Sequence, residues 1–253
     1  MNRSLRWLDP LFGTALAAAL SMVVLTAWPG AAQAADRVVG TGESVTEQRT
    51  VGDFDALHTS SINVLVRQGT TSSVSVRADR NLLPLLETVV EDGAQGKVLK
   101  LRWKRWSDIL TQVKPVVTVV VGRLQALMVS GSGDIVAEPL TQPKLLARVE
   151  GSGNVKLDGL AADELKIEIK GSGNVKASGR ASRLSISIAG SGDVQTADLK
   201  ADDVLVNIAG SGDASVFADK TLAVSIAGSG DVVYSGNAVV KKSVAGSGSV
   251  GRR

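Results

Sequence analysis

The residues best placed to do chemistry are Asp and Asn side chains that recur through the second half of the chain, each directly after a Gly-Ser-Gly tripeptide. They are Asp134, Asn154, Asn174, Asp193, Asp213 and Asp231. If the repeats stack, Asp193, Asp213 and Asp231 bring three carboxylates together, and a Ca²⁺ ion could bridge them through oxygen ligands. Alternatively, each Asp or Asn accepts a backbone N–H beside a glycine corner. The neutral asparagines favour this second interpretation, so the sequence predicts no metal and no other cofactor.

Two catalytic hypotheses start from the same residue types. The single histidine, His58, precedes Thr59, Ser60 and Ser61, but no nucleophile motif accompanies it. Stacked aspartates about 5 Å apart would also suit a retaining glycosidase. Every such pair resembles the next, whereas a catalytic site is one exceptional place. The sequence therefore predicts no catalytic residue, with a carbohydrate-active β-helix enzyme that uses outward-facing aspartates as the alternative.

A basic stretch, "KVLKLRWKRW" over residues 97–106, is the candidate contact patch. On a strand, Lys100, Arg102 and Lys104 would lie on one face, and Trp106 follows them. Such a face could contact anionic lipid, lipopolysaccharide or acidic glycan. The alternative is an ordinary solvated strand face.

These side chains must be positioned by a repeat of 18–20 residues. Gly-Ser-Gly units begin at residues 131, 151, 171, 190, 210, 228 and 246. Before each of the middle units, apolar residues alternate with polar ones, as in Leu165-Ile167-Ile169, which is typical of a half-buried strand. The glycines share the parity of these apolar positions, so an extended chain would turn them inward at a tight corner. The predicted corner glycines are Gly131, Gly133, Gly151, Gly153, Gly171, Gly173, Gly190, Gly192, Gly210, Gly212, Gly228 and Gly230.

One such unit is too small to bury its apolar face, but stacked units can bury it together. We therefore predict an all-β fold, a right-handed parallel β-helix (β-solenoid) with about 18–20 residues per coil, over residues 113–253. In the last unit, Lys242 takes an inward position and Ser249 replaces Asp or Asn, which suits a terminal cap.

Residues 35–112 are expected to be a less regular, β-rich N-terminal part of the same sheet system. Alternation over residues 62–66 and 74–78 predicts a hairpin or two coil edges. Leucines and valines crowd one side of residues 80–90, which predicts one short helix. Residues 97–104 and 114–121 are expected to be strands.

The first 34 residues have the pattern of a secretory signal peptide. Arg3 and Arg6 precede an apolar run over residues 11–27, and Ala32-Gln33-Ala34 is a small-x-small cleavage box. We expect cleavage after Ala34, with a retained membrane anchor as the alternative. The formal charge of +3 then falls to +2, because two arginines and one aspartate are lost, and this predicts no nucleic-acid partner. The chain has no cysteine, so disulfides and thiolate metal sites are excluded.

Residues 54–103 (from "FDALHTSSINVLVRQG" to "LKLRW"), the segment "VTVVVGRLQALMVSGSGDI" and the tandem GSG[DN] units together resemble the family named "putative auto-transporter adhesin, head GIN domain". Ser61-Ile62-Asn63 stands where that family often has Gly-Ile-Asn. The resemblance, over residues 48–250, implies a β-helical protein of the bacterial envelope, common in Gram-negative species. We expect an exported, non-enzymatic adhesin-like or scaffold module in the periplasm or at the outer-membrane or cell surface. Its partner, an envelope glycan, lipid or protein, and its oligomeric state stay open.

Overall fold

Each Gly-Ser-Gly repeat builds one long strand that pairs in parallel with the strand of the next repeat. The structure is a computed structural model and describes residues 37–104 and 108–253. The predicted signal peptide over residues 1–34 lies outside the described residues. Strand dominates throughout, which confirms the predicted all-β solenoid.

The strands fall into an N-terminal set and a repeat set. The N-terminal strands are β1 (Arg37–Val39), β2 (Ser44–Arg49), β3 (Ala56–Ser60), β4 (Asn63–Gln68), β5 (Ser73–Asp79), β6 (Leu86–Gly93), β7 (Gly96–Trp103), β8 (Asp108–Leu110) and β9 (Val116–Val121). The repeat strands are β10 (Ala126–Gly131), β11 (Ile135–Ala137), β12 (Thr141–Gly151), β13 (Val155–Gly171), β14 (Val175–Gly190), β15 (Val194–Gly210), β16 (Ala214–Gly228), β17 (Val232–Ser235), β18 (Val239–Gly246) and β19 (Val250–Arg252).

The core consists of aliphatic columns that run along the stack. Ile167 pairs with Ile186, Ile186 with Val206, and Val206 with Val224, and all four side chains are buried. Neighbouring columns repeat this arrangement at the positions two residues before and after. The alternation in the sequence therefore places one side chain per coil on each buried column, as predicted. Coils stacked in this way lie about 4.8 Å apart.

The two glycines of each corner are confined by different contacts. At the first glycine the chain turns with a positive φ, which is +124° at Gly151. A Cβ there would lie 2.7 Å from the Gly131 carbonyl oxygen of the coil below. The second glycine is buried, and a Cβ on Gly173 would lie 2.6 Å from Val149 Cγ1. The prediction that both glycines face inward is wrong for the first one, which is half-exposed because the backbone bends at that residue.

The N-terminal coils stack in an order that differs from their order along the chain. Strands β3 and β4 form a coil that pairs with β10 and β11 of the repeats on one side. On the other side the same coil pairs with β7 and β9, which come later in the sequence. Strand β5 pairs antiparallel with β9 rather than with β4. The hairpin alternative for residues 62–78 is therefore wrong, because β9 lies between the two strands.

The predicted helix over residues 80–90 is also wrong. A single 3-10 turn, Leu83–Leu85, is followed at once by β6, which pairs antiparallel with β7. Thr88, Val89 and Val90 are β-branched and favour a strand. Gly93 and Gly96 close a two-residue hairpin loop, with φ of +83° at Gly96. The apolar residues matched a helical period, but pairing with the edge of β7 decides the structure.

A buried carboxylate holds the N-terminal segment against the rest of the fold through hydrogen bonds. Asp79, fully buried at the end of β5, accepts backbone N–H bonds from Gly42 (2.7 Å), Gln112 (3.1 Å) and Val113 (3.0 Å). Burial raises the pKa of Asp79, but these three donors and the backbone N–H of Asp79 itself together outweigh it and hold the pKa below its ordinary value.

Candidate functional site

The repeated Asp and Asn side chains form one continuous hydrogen-bonded ladder along the corners. Each side-chain Oδ1 accepts the backbone N–H of the equivalent residue in the next coil, as in Asp213 N to Asp193 Oδ1 at 3.0 Å. The ladder starts at Asn63, whose Oδ1 accepts from Asp134 N at 3.2 Å. It ends at Ser249, whose N and Oγ both donate to Asp231 Oδ1.

This geometry explains why Asp and Asn are interchangeable in the ladder. One oxygen is needed as an acceptor, and either side chain supplies it. At the asparagines a second bond is added, since Asn154 Nδ2 donates to Asp134 Oδ1 at 2.8 Å. Among residues 37–104 and 108–253, no group of three or more His, Cys, Asp or Glu side chains is arranged to hold a metal ion.

The structure places His58 beside a serine from a distant part of the sequence. His58 Nε2 lies 3.0 Å from Ser130 Oγ, and Ser60 Oγ lies 2.9 Å from the same Ser130 Oγ. Burial lowers the pKa of His58, the charges of Lys100 and Arg102 lower it further, and the Glu150 carboxylate opposes them only in part. A neutral imidazole is therefore favoured at neutral pH, and it can exchange a hydrogen bond with Ser130. Sequence reasoning considered only the serines adjacent to His58 and missed Ser130, which parallel pairing of β3 with β10 brings to it.

The candidate contact patch lies on β7, but its first two cations are already paired. Lys100 Nζ lies 2.6 Å from Glu91 Oε2, and Arg102 contacts Glu87 at 2.9 Å and Glu91 at 3.1 Å. Both glutamates belong to β6, which overlaps the predicted helix only over residues 86–90. Pairing with Lys100 lowers the pKa of Glu91. Two carboxylates thus balance two cations on this face.

The remaining members of the patch are placed differently. Lys104 is exposed just after β7, and no carboxylate among the described residues lies within 4 Å of its Nζ. Trp106 lies outside the described residues. Trp103 packs partly buried against the core.

A concave surface that sequence reasoning did not single out crosses strands β12 to β15. We call it the return groove; it has a volume of about 500 Å³. Its lining residues are Thr141, Gln142, Pro143, Ala161, Ala162, Asp163, Arg180, Ala181, Ser182, Lys200 and Asp202. They come from equivalent tripeptides of four successive coils, "TQP", "AAD", "RAS" and "KAD". Their recurrence in the polar return segments was the signal available in the sequence.

The return groove has a small apolar floor between charged rims. The floor follows the in-register row of Gln142, Ala162 and Ala181 and is apolar at the two alanines. One rim ends in Arg180 and Lys200, which lie opposite each other in the register of the parallel strands β14 and β15. The opposite rim carries Asp163 and Asp202, and Asp202 also contacts Lys220 Nζ at 2.9 Å.

In the part of the chain that the structure describes, no helix is long and apolar enough to cross a membrane.

Comparison with known proteins agrees with this architecture. The crystal structure of a putative adhesin from Bacteroides fragilis has a TM-score of 0.78 at 23% identity, and the match covers 85% of this chain and 100% of that one. A putative lipid binding protein from Parabacteroides distasonis has a TM-score of 0.71 at 27% identity, with 86% of this chain and 99% of that one covered. A putative adhesin from Parabacteroides merdae has a TM-score of 0.67 at 24% identity, with the same coverage of 86% and 99%.

Among curated protein sequences, none matches this chain. The family described as "Putative auto-transporter adhesin, head GIN domain" matches residues 53–238, which include most of the N-terminal strands and most of the repeats. This confirms the resemblance found in the sequence, and the chain belongs to that family.

Proposed function

We propose that this protein is a non-enzymatic binding module of the cell envelope, exported by its N-terminal segment and adhesin-like in action. The return groove carries the proposal. Each of its rims is built from equivalent residues of successive coils, which inter-coil hydrogen bonds hold in fixed register. A surface preorganised in this way binds a ligand without having to order itself first.

The family and the neighbouring structures support a binding role. Two of the neighbours are named putative adhesins, and one is named a putative lipid binding protein. Within the described residues, the groups that suggested catalysis are engaged in the scaffold. The ladder aspartates accept backbone N–H bonds, and they are alike from coil to coil. An envelope glycan, lipid or protein is therefore a better candidate partner than a substrate to be cleaved.

Binding and turnover can be measured together on the purified full-length chain. The probes are immobilised acidic polysaccharide, anionic lipid vesicles and an envelope protein extract, with reducing-sugar release followed in the polysaccharide sample. We expect saturable binding to one of these probes and no sugar release. Sugar release that disappears in the triple variant D193A/D213A/D231A would contradict the proposal and would support the glycosidase alternative.

Location is tested separately on intact cells. Protease added outside the cells should degrade a surface-displayed chain and spare a periplasmic one. Protection both in intact cells and after the outer membrane is permeabilised would argue against export.

A further inference from the structure

We infer that the return groove binds an acidic glycan, one whose sugar rings carry carboxylates, and this inference rests on the binding function proposed above. The cations of one rim supply the first argument. Arg180 and Lys200 are exposed and lie side by side on adjacent strands. Among the described residues, no carboxylate lies within 4 Å of either cation, whereas Lys100 and Arg102 of the contact patch on β7 are both paired with glutamates. Two unpaired cations at the edge of a concave surface favour an anionic ligand.

The opposite rim selects for hydroxyl groups. Asp163 is exposed, and no cation among the described residues lies within 4 Å of its carboxylate. An acceptor-only carboxylate facing a ligand needs donors, and sugar hydroxyls supply them. A ligand that carries both carboxylates and hydroxyls satisfies the two rims together.

The floor and the backbone disfavour other anionic ligands. An acyl chain would need a continuous apolar channel, but the floor consists of small residues such as Ala162 and Ala181 between charged rims. An extended peptide would need free backbone groups, and those on the floor are used between coils, as in Ala161 N to Leu140 O at 2.8 Å. A glycan needs neither, because it is recognised through its polar substituents.

The direction of the groove suits a polymer. The groove crosses four strands at right angles, which is about 14 Å for three inter-coil steps of about 4.8 Å. A linear glycan lying along this axis passes each coil at a similar interval to its own ring-to-ring repeat. Carboxylates on the side of the glycan that faces this rim could then contact Arg180 and Lys200.

A buried polar side chain marks one end of the groove. Gln142 is 3% exposed, and its Oε1 accepts a hydrogen bond from Leu124 N at 3.2 Å. Its Nε2 has no hydrogen-bond partner among the described residues. Because Nε2 is itself buried beneath the groove, the exposed rims, and not this amide, supply the contacts to a ligand.

The test is calorimetric titration of the full-length chain with tetragalacturonate, and with neutral cellotetraose as the uncharged comparison. We expect binding of tetragalacturonate that weakens as salt is added, and no measurable binding of cellotetraose. The variant R180A/K200A should lose at least about tenfold in affinity, because two charge-assisted contacts are removed. The variant S182W, which fills the exposed rim without changing charge, should show a similar loss.

The control variant K176A/K241A removes two exposed cations outside the groove and should stay within about twofold of wild type. Circular dichroism melting checks that each variant is folded. Unchanged affinity in R180A/K200A, or no binding of tetragalacturonate to the wild type, would overturn the assignment of the groove. Tight binding of tetraglutamate that depends on Arg180 and Lys200 would assign the groove to an acidic peptide and would also overturn it. In each case, saturable binding to lipid or protein would leave the broader function standing.

Discussion

At the scale of single residues, the coil beneath leaves no room for a side chain at the second glycine of each corner. A methyl group on Gly173 would meet the Gly153 carbonyl oxygen and Val149 Cγ1. We expect G173A to lower the free energy of unfolding by about 3 kcal/mol, because backbone cannot move aside as a flexible side chain can. The control is G52A, since a Cβ on Gly52 would meet nothing within 4 Å. Denaturant unfolding of both variants checks this, and equal stability would contradict the stacked-corner argument.

The buried carboxylate of Asp79 gives a pH-dependent prediction. Because its folded pKa is lowered, its contribution to stability is fully present above its unfolded pKa of about 4 and is lost as pH falls through the folded value. We expect D79N to be less stable than wild type at pH 7, since an acceptor for the N–H donors of Gly42, Gln112 and Val113 is lost. The stability difference between wild type and D79N should shrink as the pH is lowered from 5 to 3. Denaturant titrations at several pH values measure it, and a difference independent of pH would argue against a charged Asp79.

At the scale of elements, β6 controls the charge of the patch on β7. Its Glu87 and Glu91 neutralise Lys100 and Arg102. We expect E87Q/E91Q to bind vesicles of anionic lipid at least about tenfold more tightly than wild type, because each freed cation contributes about 1 kcal/mol near an anionic surface. Vesicle cosedimentation at low and high salt measures the gain, which salt should abolish.

The matched control for this prediction is D193N/D213N. It removes the same number of negative charges from the ladder, where asparagine already serves as the acceptor at three positions, Asn63, Asn154 and Asn174. Its vesicle binding should stay close to that of wild type. An equal gain in both variants would show that overall charge, not pairing on β6 and β7, governs vesicle binding.

The hairpin formed by β6 and β7 also shows where prediction from sequence failed. In the repeats, each strand is predicted by its own alternation, and its partner is the next repeat, so local pattern and pairing agree. Residues 86–93 carry apolar side chains compatible with a helix or a strand, and pairing with β7 decides between them. The two hairpin glycines, Gly93 and Gly96, were the signal that could have corrected the helix.

Some parts of the candidate site could likewise be predicted from the sequence, and others could not. The ladder was predictable because its residues recur after a fixed motif. The contact between His58 and Ser130 was not, since it joins residues 72 positions apart. The return groove was hidden because no single coil contains it, and its rims exist only where equivalent residues of four coils are aligned.

At the scale of the whole molecule, the stack of coils sets which changes in chain length are tolerated. Each repeat coil pairs only with its two neighbours in the stack. The free energy of unfolding is therefore close to a sum of contributions from the single coils and from the interfaces between neighbouring coils. Gly190 and Gly210 are paired in register, and deletion of residues 190–209 therefore joins two equivalent points. The new neighbours are compatible, since Asn174 would lie next to Asp213 and Leu184 next to Leu222.

We expect the variant lacking residues 190–209 to fold and to unfold in one cooperative transition at a lower Tm, because one layer of core is lost. Deletion of residues 200–209 alone should prevent folding, since it leaves half a coil and puts the following strands out of register with the apolar columns. Circular dichroism melting of the two variants decides the matter. If the half-coil deletion were as stable as the whole-coil deletion, the aligned columns could not be what holds this protein together.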